Sequence, residues 1–516
     1  MQKWLYYEDL LVTMEIFLID FSKTQIKNHD CWKQVVFVLL VLTCALVLPA
    51  CGEDQRPLET EDGVLIYAAL NPVSVEIQRS VKQFNDKHPD VQIEIHDYSG
   101  EGGLERLQTE LVLGKVPDIM EMHYFGNSPE RTGRNNSNIR NGNSGSWRCN
   151  STLERPADEY WMPYRIMAQK GYLEDLWPYI ESDQELGRNG VLQAPMKAAE
   201  VNGGLYILFM EIRVNTLMGR ESVVGDQHSW TLEELLDTFS TMPEDSTILR
   251  YNATKRDIFF DLLCFSLDKY VDMGTGTCSF NSQDFQELVK FLEYFPDEVD
   301  SSESNREAEE SIERVRTGRQ MLEVTQISWP EDLIRRDGYW QERTAFPGYP
   351  TADGTSGNFF YPMGDVLAMS STCQDKDAAW EYIRGLIKPR RKRSTALVPF
   401  VSTPVNLHDY ELFILGNVVD STNFYLNHKN PLLSVKPWRP FGTPGPEIYP
   451  IALMTEEDGE RFRTLIDSTT QLYWPNDELS NLVWDSIGPY LAGDRSLDDT
   501  VALVQNRAQL YVNEMR

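Results

Sequence analysis

The chain has 516 residues, with 79 acidic side chains against 48 Lys and Arg and a formal charge of −31 at pH 7. That balance argues against nucleic acid as a partner and against a polybasic membrane patch, since both need a basic face. Hydrophobic residues at 41% and charged residues at 25% are ordinary for a soluble globular protein.

From Val35 to Leu48 every residue is apolar except Thr43, with Lys23, Lys27 and Lys33 as the positive flank. The run has the length of a signal-peptide core and is too short to span a bilayer comfortably. Its end, Leu48-Pro49-Ala50-Cys51-Gly52, resembles the bacterial lipobox. The resemblance implies that Cys51 receives a diacylglycerol, becomes the new N-terminus and tethers an exported protein to the extracytoplasmic face of the cell membrane, two acyl chains being enough to hold it. The alternative is a buried strand or helix that ends in Cys. Residues Met1 to Asp30 are long for a leader and carry Glu8, Asp9, Glu15 and Asp20, so Met14, or a start nearer Lys33, is an alternative beginning. Residues 1–51 are set aside from the fold. About 465 residues remain after Cys51, too many for one hydrophobic core, so two lobes or more are expected. Cys149, Cys264, Cys278 and Cys373 have no metal spacing, and no metal or cofactor is expected. Cys264 and Cys278 are either paired or free thiols.

Beyond Val64 the chain alternates strand and helix. Val64 to Leu70 is a short apolar run of buried-strand type. A helix is predicted from about Val73, with Val73, Ile77, Val81 and Phe84 on one face, stopped at His88-Pro89-Asp90. Val91 to His96 alternates with period two as a second strand. Leu104, Leu107, Leu111 and Val112 mark a second helix ended by Gly114, and Asp118 to Met122 gives a third strand. This β-α-β-α-β pattern implies a parallel sheet with right-handed crossovers, whose ligands sit beyond the carboxyl ends of the strands. Asn71, Tyr98 and Tyr124 fall at that rim. At the far end Ser496 caps a helix whose first turn holds Asp498 and Asp499, with Val501, Val504, Ala508 and Tyr511 on one face.

Several segments carry a family resemblance. Phe84-Asn85-Asp86-Lys87-His88-Pro89-Asp90 between two strands, then Leu113-Gly114-Lys115-Val116-Pro117-Asp118-Ile119, are similar to the first lobe of bacterial extracellular solute-binding proteins, family 1. Lys170 to Leu176, Asn202 to Tyr206, Ser229 to Leu235, Gly318 to Met321 with Trp329, and Asp365 to Ser370 with Ala378 to Ile383 follow in the same order. The resemblance implies an α/β, two-lobed, periplasmic-binding-protein-like (type II) fold that closes by a hinge on a solute in its cleft. The lobes would be 60–208 with 355–400, and 212–350 with 405–516. The chain would cross near Ile207 to Arg213, return near Tyr361 to Asp365, and cross again near Phe400 to Asn406. It also implies a monomer that hands a solute, often a sugar or oligosaccharide, to an ABC-type permease.

Trp329 matches the place where sugar-binding members carry a cleft aromatic, and a flat ring stacks on a pyranose face. The alternative is a core Trp beside Pro330. Arg213, at the crossing, either hydrogen-bonds solute through its planar fork or makes a structural ion pair. Asn71 is either a solute contact or part of an Asn-Pro turn. Tyr98, Tyr124 and Tyr361, at strand ends or a crossing, are further candidate contacts; Trp340 and Trp438 are weaker ones.

Residues 126–150 break the pattern, with Gly, Asn and Ser around Arg131, Arg134, Arg140 and Arg148. Such a stretch cannot bury a core and reads as a polar insertion or a frame error. It weakens Tyr124 as a contact. No zinc-protease, Walker, nucleophile-elbow or dinucleotide motif is present, and Gly100-Glu101-Gly102-Gly103 reads as a turn. No catalytic residue is assigned. A glycan-processing enzyme stays open because some pair among so many carboxylates is always close. A lipoprotein that presents solute to a sensor, or an adhesin, would share the fold. The acidic charge makes an anionic solute less natural.

Overall fold

The structure, a computed structural model, describes residues 63–124, 160–249, 254–260, 267, 270–272, 275–298, 314–351, 353–389, 402–416, 454–474 and 477–515. The signal segment, Cys51, residues 126–150, Cys149, Cys264 and Trp438 lie outside them. Among the described residues no helix is long and apolar enough to cross a membrane.

The first five elements follow the alternation of the sequence. Strand β1 is Val64–Ala69, helix α1 Val75–Lys87, strand β2 Gln92–Asp97, helix α2 Gly103–Val112 and strand β3 Ile119–Glu121. Helix α1 starts two residues later than the apolar spacing suggests, because Ser74 accepts the Ile77 N–H and serves as N-cap. Ile77, Val81 and Phe84 are its buried face, and Val73 packs on the same core from outside the helix. Helix α2 corrects the expectation for Val112, which is 86% exposed at the helix end, while Leu107 is buried. Gly103 opens α2 so close to the end of β2 that a Cβ there would lie 2.0 Å from the Tyr98 carbonyl oxygen. That contact accounts for Gly103, and a φ of +72° accounts for Gly102.

Strand β1 pairs in parallel with both β2 and β3, as the sequence pattern requires. The remaining strands add antiparallel pairs and one further parallel pair, so the sheet as a whole is mixed. Six further strands complete it: β4 (Leu208–Arg220), β5 (Leu322–Ile327), β6 (Thr344–Ala345), β7 (Asn358–Met369), β8 (Thr403–Pro404) and β9 (Thr469–Leu472). The order is β6-β4-β7-β3-β1-β2, with β5 and β8 also on β4 and β9 on β7. Strand β7 runs antiparallel to both β3 and β4. This is an α/β architecture in which a β2-β1-β3 unit is completed by a strand returning from late in the chain.

Buried apolar side chains form two clusters. One gathers β1, α1 and β3 with Phe209, Ile212 and Phe360, and extends to Trp340, Phe413 and Phe462. The other gathers Trp230, Phe280, Phe285, Leu322 and Phe359 with Val501, Val504, Ala508 and Tyr511. The last four line helix α7 (Leu497–Met515), which follows α3 (Leu232–Ser240), α4 (Glu331–Trp340), α5 (Lys376–Ile383) and α6 (Glu456–Asp467). Ser496 accepts the Asp499 N–H at the start of α7. Thr231 and Glu234 form a reciprocal capping box on α3. Cys278 is a free thiol, and Cys264 lies outside the described residues.

The exposure difference between α1 and α2 has a direct consequence. Phe84→Ala should destabilise the protein by about 3–5 kcal/mol, whereas Val112→Ser should stay within about 0.5 kcal/mol of wild type. Denaturant unfolding of the two variants checks this, and similar losses would contradict the placement of Val112.

Candidate functional site

Three strand segments meet at one height of the sheet. Ile212 of β4 faces Pro362 of β7 on one side and Thr403 of β8 on the other. One residue on, Arg213 lies directly opposite Tyr361. The chain segments expected to cross between lobes are therefore laid side by side.

Arg213 is half-buried, and its guanidinium is held from the neighbouring loop. Its Nε donates to Ser328 Oγ at 2.7 Å and its Nη1 to Gln326 Oε1 at 3.3 Å. Burial pulls its pKa below the usual arginine value, while the Asp332 carboxylate and the Tyr361 phenol oppose that shift. Asp332, in the first turn of α4, fixes the same loop. One of its carboxylate oxygens accepts the backbone N–H groups of Ser328 and Trp329, both at 2.9 Å. Thr403 Oγ1 donates to the Ser328 carbonyl at 2.9 Å, tying in β8. Trp329 is half-buried on the first cluster, its ring centroid 4.9 Å from that of Phe413. Tyr361 stacks on Tyr473 with centroids 3.9 Å apart. Arg213, Trp329 and Tyr361 are thus brought together by β4, β7 and the β5–α4 loop.

Asn71 belongs to a second group, at the carboxyl end of β1. Its side-chain amide donates to Glu121 at 3.0 Å and to the His123 carbonyl at 2.7 Å. Glu121 closes β3 and is 2% exposed. It accepts four hydrogen bonds, from the Leu70 and Asn71 N–H groups, the Asn71 amide and the Tyr67 hydroxyl. Burial nevertheless dominates, and pushes its pKa up to about 7, with Asp365 adding to the rise against those hydrogen bonds. Asp365, on β7, connects the two groups along one strand.

Tyr98 stands apart from both. It is 3% exposed, its hydroxyl donates to Glu110 at 2.5 Å, and Arg106 covers its ring. Tyr124 pairs with Tyr160 in a two-residue ladder, and its side chain is outside the described residues. Trp340 is fully buried in the first cluster. Among the described residues no group of three or more His, Cys, Asp or Glu is placed to hold a metal ion. A pocket of about 420 Å³ lies between Tyr179, Asp183, Trp380 and Arg384, none of which belongs to these strands.

The sequence reading missed Glu121 and Asp332. Glu121 had one signal, a charge inside a central parallel strand where both faces are covered. Asp332 had another, an acid three residues after a loop Trp, at the start of a helix.

No protein-family model and no curated protein matches the chain. Solved structures do align with it over most of its length. One is described as an extracellular solute-binding protein family 1 from Alicyclobacillus acidocaldarius, at 12% identity, covering 89% of this chain and 100% of that one, with a TM-score of 0.41. Another is a periplasmic oligogalacturonide-binding protein from Yersinia enterocolitica, at 12% identity, 88% and 100% coverage and a TM-score of 0.49. A third is the sugar-binding protein MalE from Xanthomonas citri, at 11% identity, 87% and 98% coverage and a TM-score of 0.43. The α/β architecture of this chain rests on its own strand order and register.

The elevated pKa of Glu121 links stability to pH. A carboxyl that is easier to protonate folded than unfolded stabilises most below the unfolded value, and that stability is lost as pH rises through about 7. Relative to wild type, Glu121→Gln should gain on the order of 3 kcal/mol between pH 5 and pH 8. Denaturant midpoints at the two pH values measure it, and an equal difference at both would contradict the assignment.

Proposed function

We propose that the chain is a lipid-anchored extracytoplasmic solute-binding protein that captures a sugar or oligosaccharide between two lobes and delivers it to an ABC-type importer. The observation that carries the reading is the half-buried Trp329 next to the Ser328 that Arg213 holds, where three strand segments run together. An aromatic face supplies area for the apolar side of a sugar ring, and the planar guanidinium supplies directed donors to its hydroxyls. The sugar class itself comes from the order of family-like segments in the sequence. The lobes are 60–208 with 355–400 and 212–350 with 405–516, and they hinge at the crossing segments. Closure on the solute would expel water and strengthen each polar contact. Asn71, at the carboxyl end of β1, supplies a contact from the other lobe. Tyr98 acts in packing, since its ring is covered and its hydroxyl is engaged by Glu110. Cys51 carries the lipid, the protein works as a monomer, and it has no chemistry of its own.

A thermal-unfolding screen of the purified protein against mono- and oligosaccharides, peptides and polyols tests this. A ligand at a hundred times its Kd adds about 2.7 kcal/mol and raises the midpoint by a few degrees. For the sugar that does so, Trp329→Ala should weaken binding by about 2 kcal/mol or more, roughly thirtyfold in Kd by titration calorimetry, with the unfolding midpoint of the free protein preserved. An unchanged Kd would remove Trp329 from the site, and a shift with peptides alone would remove the sugar class.

A further inference from the structure

On one face of the crossing ladder the second hydrophobic cluster gives way to a polar group. Residues directly paired across antiparallel strands share a face, so Asn215 of β4 stands with Phe359 of β7 and Gln326 of β5, and Leu217 stands with Val324. Leu217 and Phe359 are buried in that cluster and Val324 packs against it. Asn215, two residues from Leu217 on the same face, is itself only 6% exposed. Its side-chain oxygen Oδ1 is shut off from solvent and accepts no hydrogen bond among the described residues. Buried amides are normally satisfied, and an unmet acceptor destabilises the fold that holds it. A valine or leucine would continue the cluster without that cost. Arg213 is two residues further along the same face, roughly 7 Å away at strand spacing, and faces Tyr361. Gln326, half-buried opposite Asn215, takes its Oε1 hydrogen bond from Arg213 Nη1 at 3.3 Å, long for an N–H donor. The unmet oxygen of Asn215 therefore lies on the face that carries Arg213 and Tyr361, next to the weakest of the contacts that hold the guanidinium.

We propose that Asn215 is a further specificity-determining residue of the site, whose unmet acceptor selects an uncharged solute with neighbouring hydroxyl groups. This rests on the site reading above. One solute hydroxyl donates to Asn215 Oδ1, and its neighbour accepts from Arg213 Nη1 as the long bond to Gln326 opens. Gln326 is half-buried, so its released carbonyl turns to water. The free protein thus holds Arg213 on Gln326 and leaves Asn215 unmatched, and the solute reverses both. A solute without a hydroxyl donor at that place leaves the buried acceptor unpaired and is rejected.

The test has a part without ligand and a part with it. Asn215→Leu removes the unmet acceptor at nearly constant volume, so the free variant should unfold at a higher temperature than wild type. Asn215→Val, smaller and suited to a strand, repeats the measurement in case leucine is crowded. A residue with a purely structural role would lose stability in both. In calorimetric titrations with glucose, maltotriose and galactotriose, a probe that wild type binds should bind either variant about tenfold more weakly or worse. Gln326→Met breaks the bond that the solute has to open, so it should bind that probe at least as tightly as wild type. The inference is overturned if both Asn215 variants lower the midpoint of the free protein, if either keeps its affinity within tenfold, or if Gln326→Met weakens binding. Trp329→Ala in the same titrations separates the two levels. Loss of binding there with full binding in Asn215→Leu removes only the role of Asn215. Full binding in both variants, or no binding of any probe by wild type, removes the site reading together with the inference.

Discussion

The antiparallel pairing of β4 with β7, from Phe359 opposite Asn215 to Leu367 opposite Leu208, holds the rest of the structure in place. Side chains alternate between the faces of a strand, so Phe359 enters one hydrophobic cluster and Phe360 the other. A slip of one residue would exchange the two rings and bury Tyr361 where a smaller, fully apolar contact is required. The ladder is therefore strongly specified by burial on both faces. The same register sets Tyr361 opposite Arg213, so the constraint that joins the cores also assembles the candidate site.

The loop after β5 depends on that pairing in turn. Ser328 is held by its N–H to Asp332, by its hydroxyl from Arg213 and by its carbonyl from Thr403. These contacts draw on α4, β4 and β8, so Trp329 is positioned by three elements and not by its own loop. Directly along β7 the ladder loosens at the Gly364 bulge, where backbone rotation is cheapest. The held guanidinium of Arg213, opposite Tyr361, and the bulge at Gly364, three residues further along β7, thus lie close together on one strand pair.

Much of the first half of the fold was legible because its signals are local. The apolar run Val64 to Ala69 and the Ile77, Val81 and Phe84 face announce their elements within a few residues, whereas the Ser74 and Thr231 caps come from the structure. The terminal helix with Ser496 and its apolar face is of the same kind. Val112 misled because a helical apolar face extends to wherever the helix ends, and α2 ends there in solvent. The antiparallel return of β7 next to β3 was not readable from periodicity, since nothing in Asn358 to Met369 names a partner more than two hundred residues upstream. Glu121 escaped for the same reason, as its donors at Leu70 and Asn71 come from fifty residues earlier. Tyr98 looked available at a strand end, and only the fold shows Glu110 and Arg106 closing over it. Arg213 and Tyr361 were nominated from resemblance, and the structure supplies the physical reason they adjoin.

Hydrogen exchange of the backbone amides, with and without a saturating solute from the thermal screen, tests the central claim most directly. Binding at the crossing strands should slow exchange at Ile212 to Val214, Ser328 to Trp329 and Tyr361 to Asp365 together, and leave the helix ends around Val112 unchanged. Protection confined to the separate pocket between Tyr179, Asp183, Trp380 and Arg384, with none at the crossing strands, would contradict it.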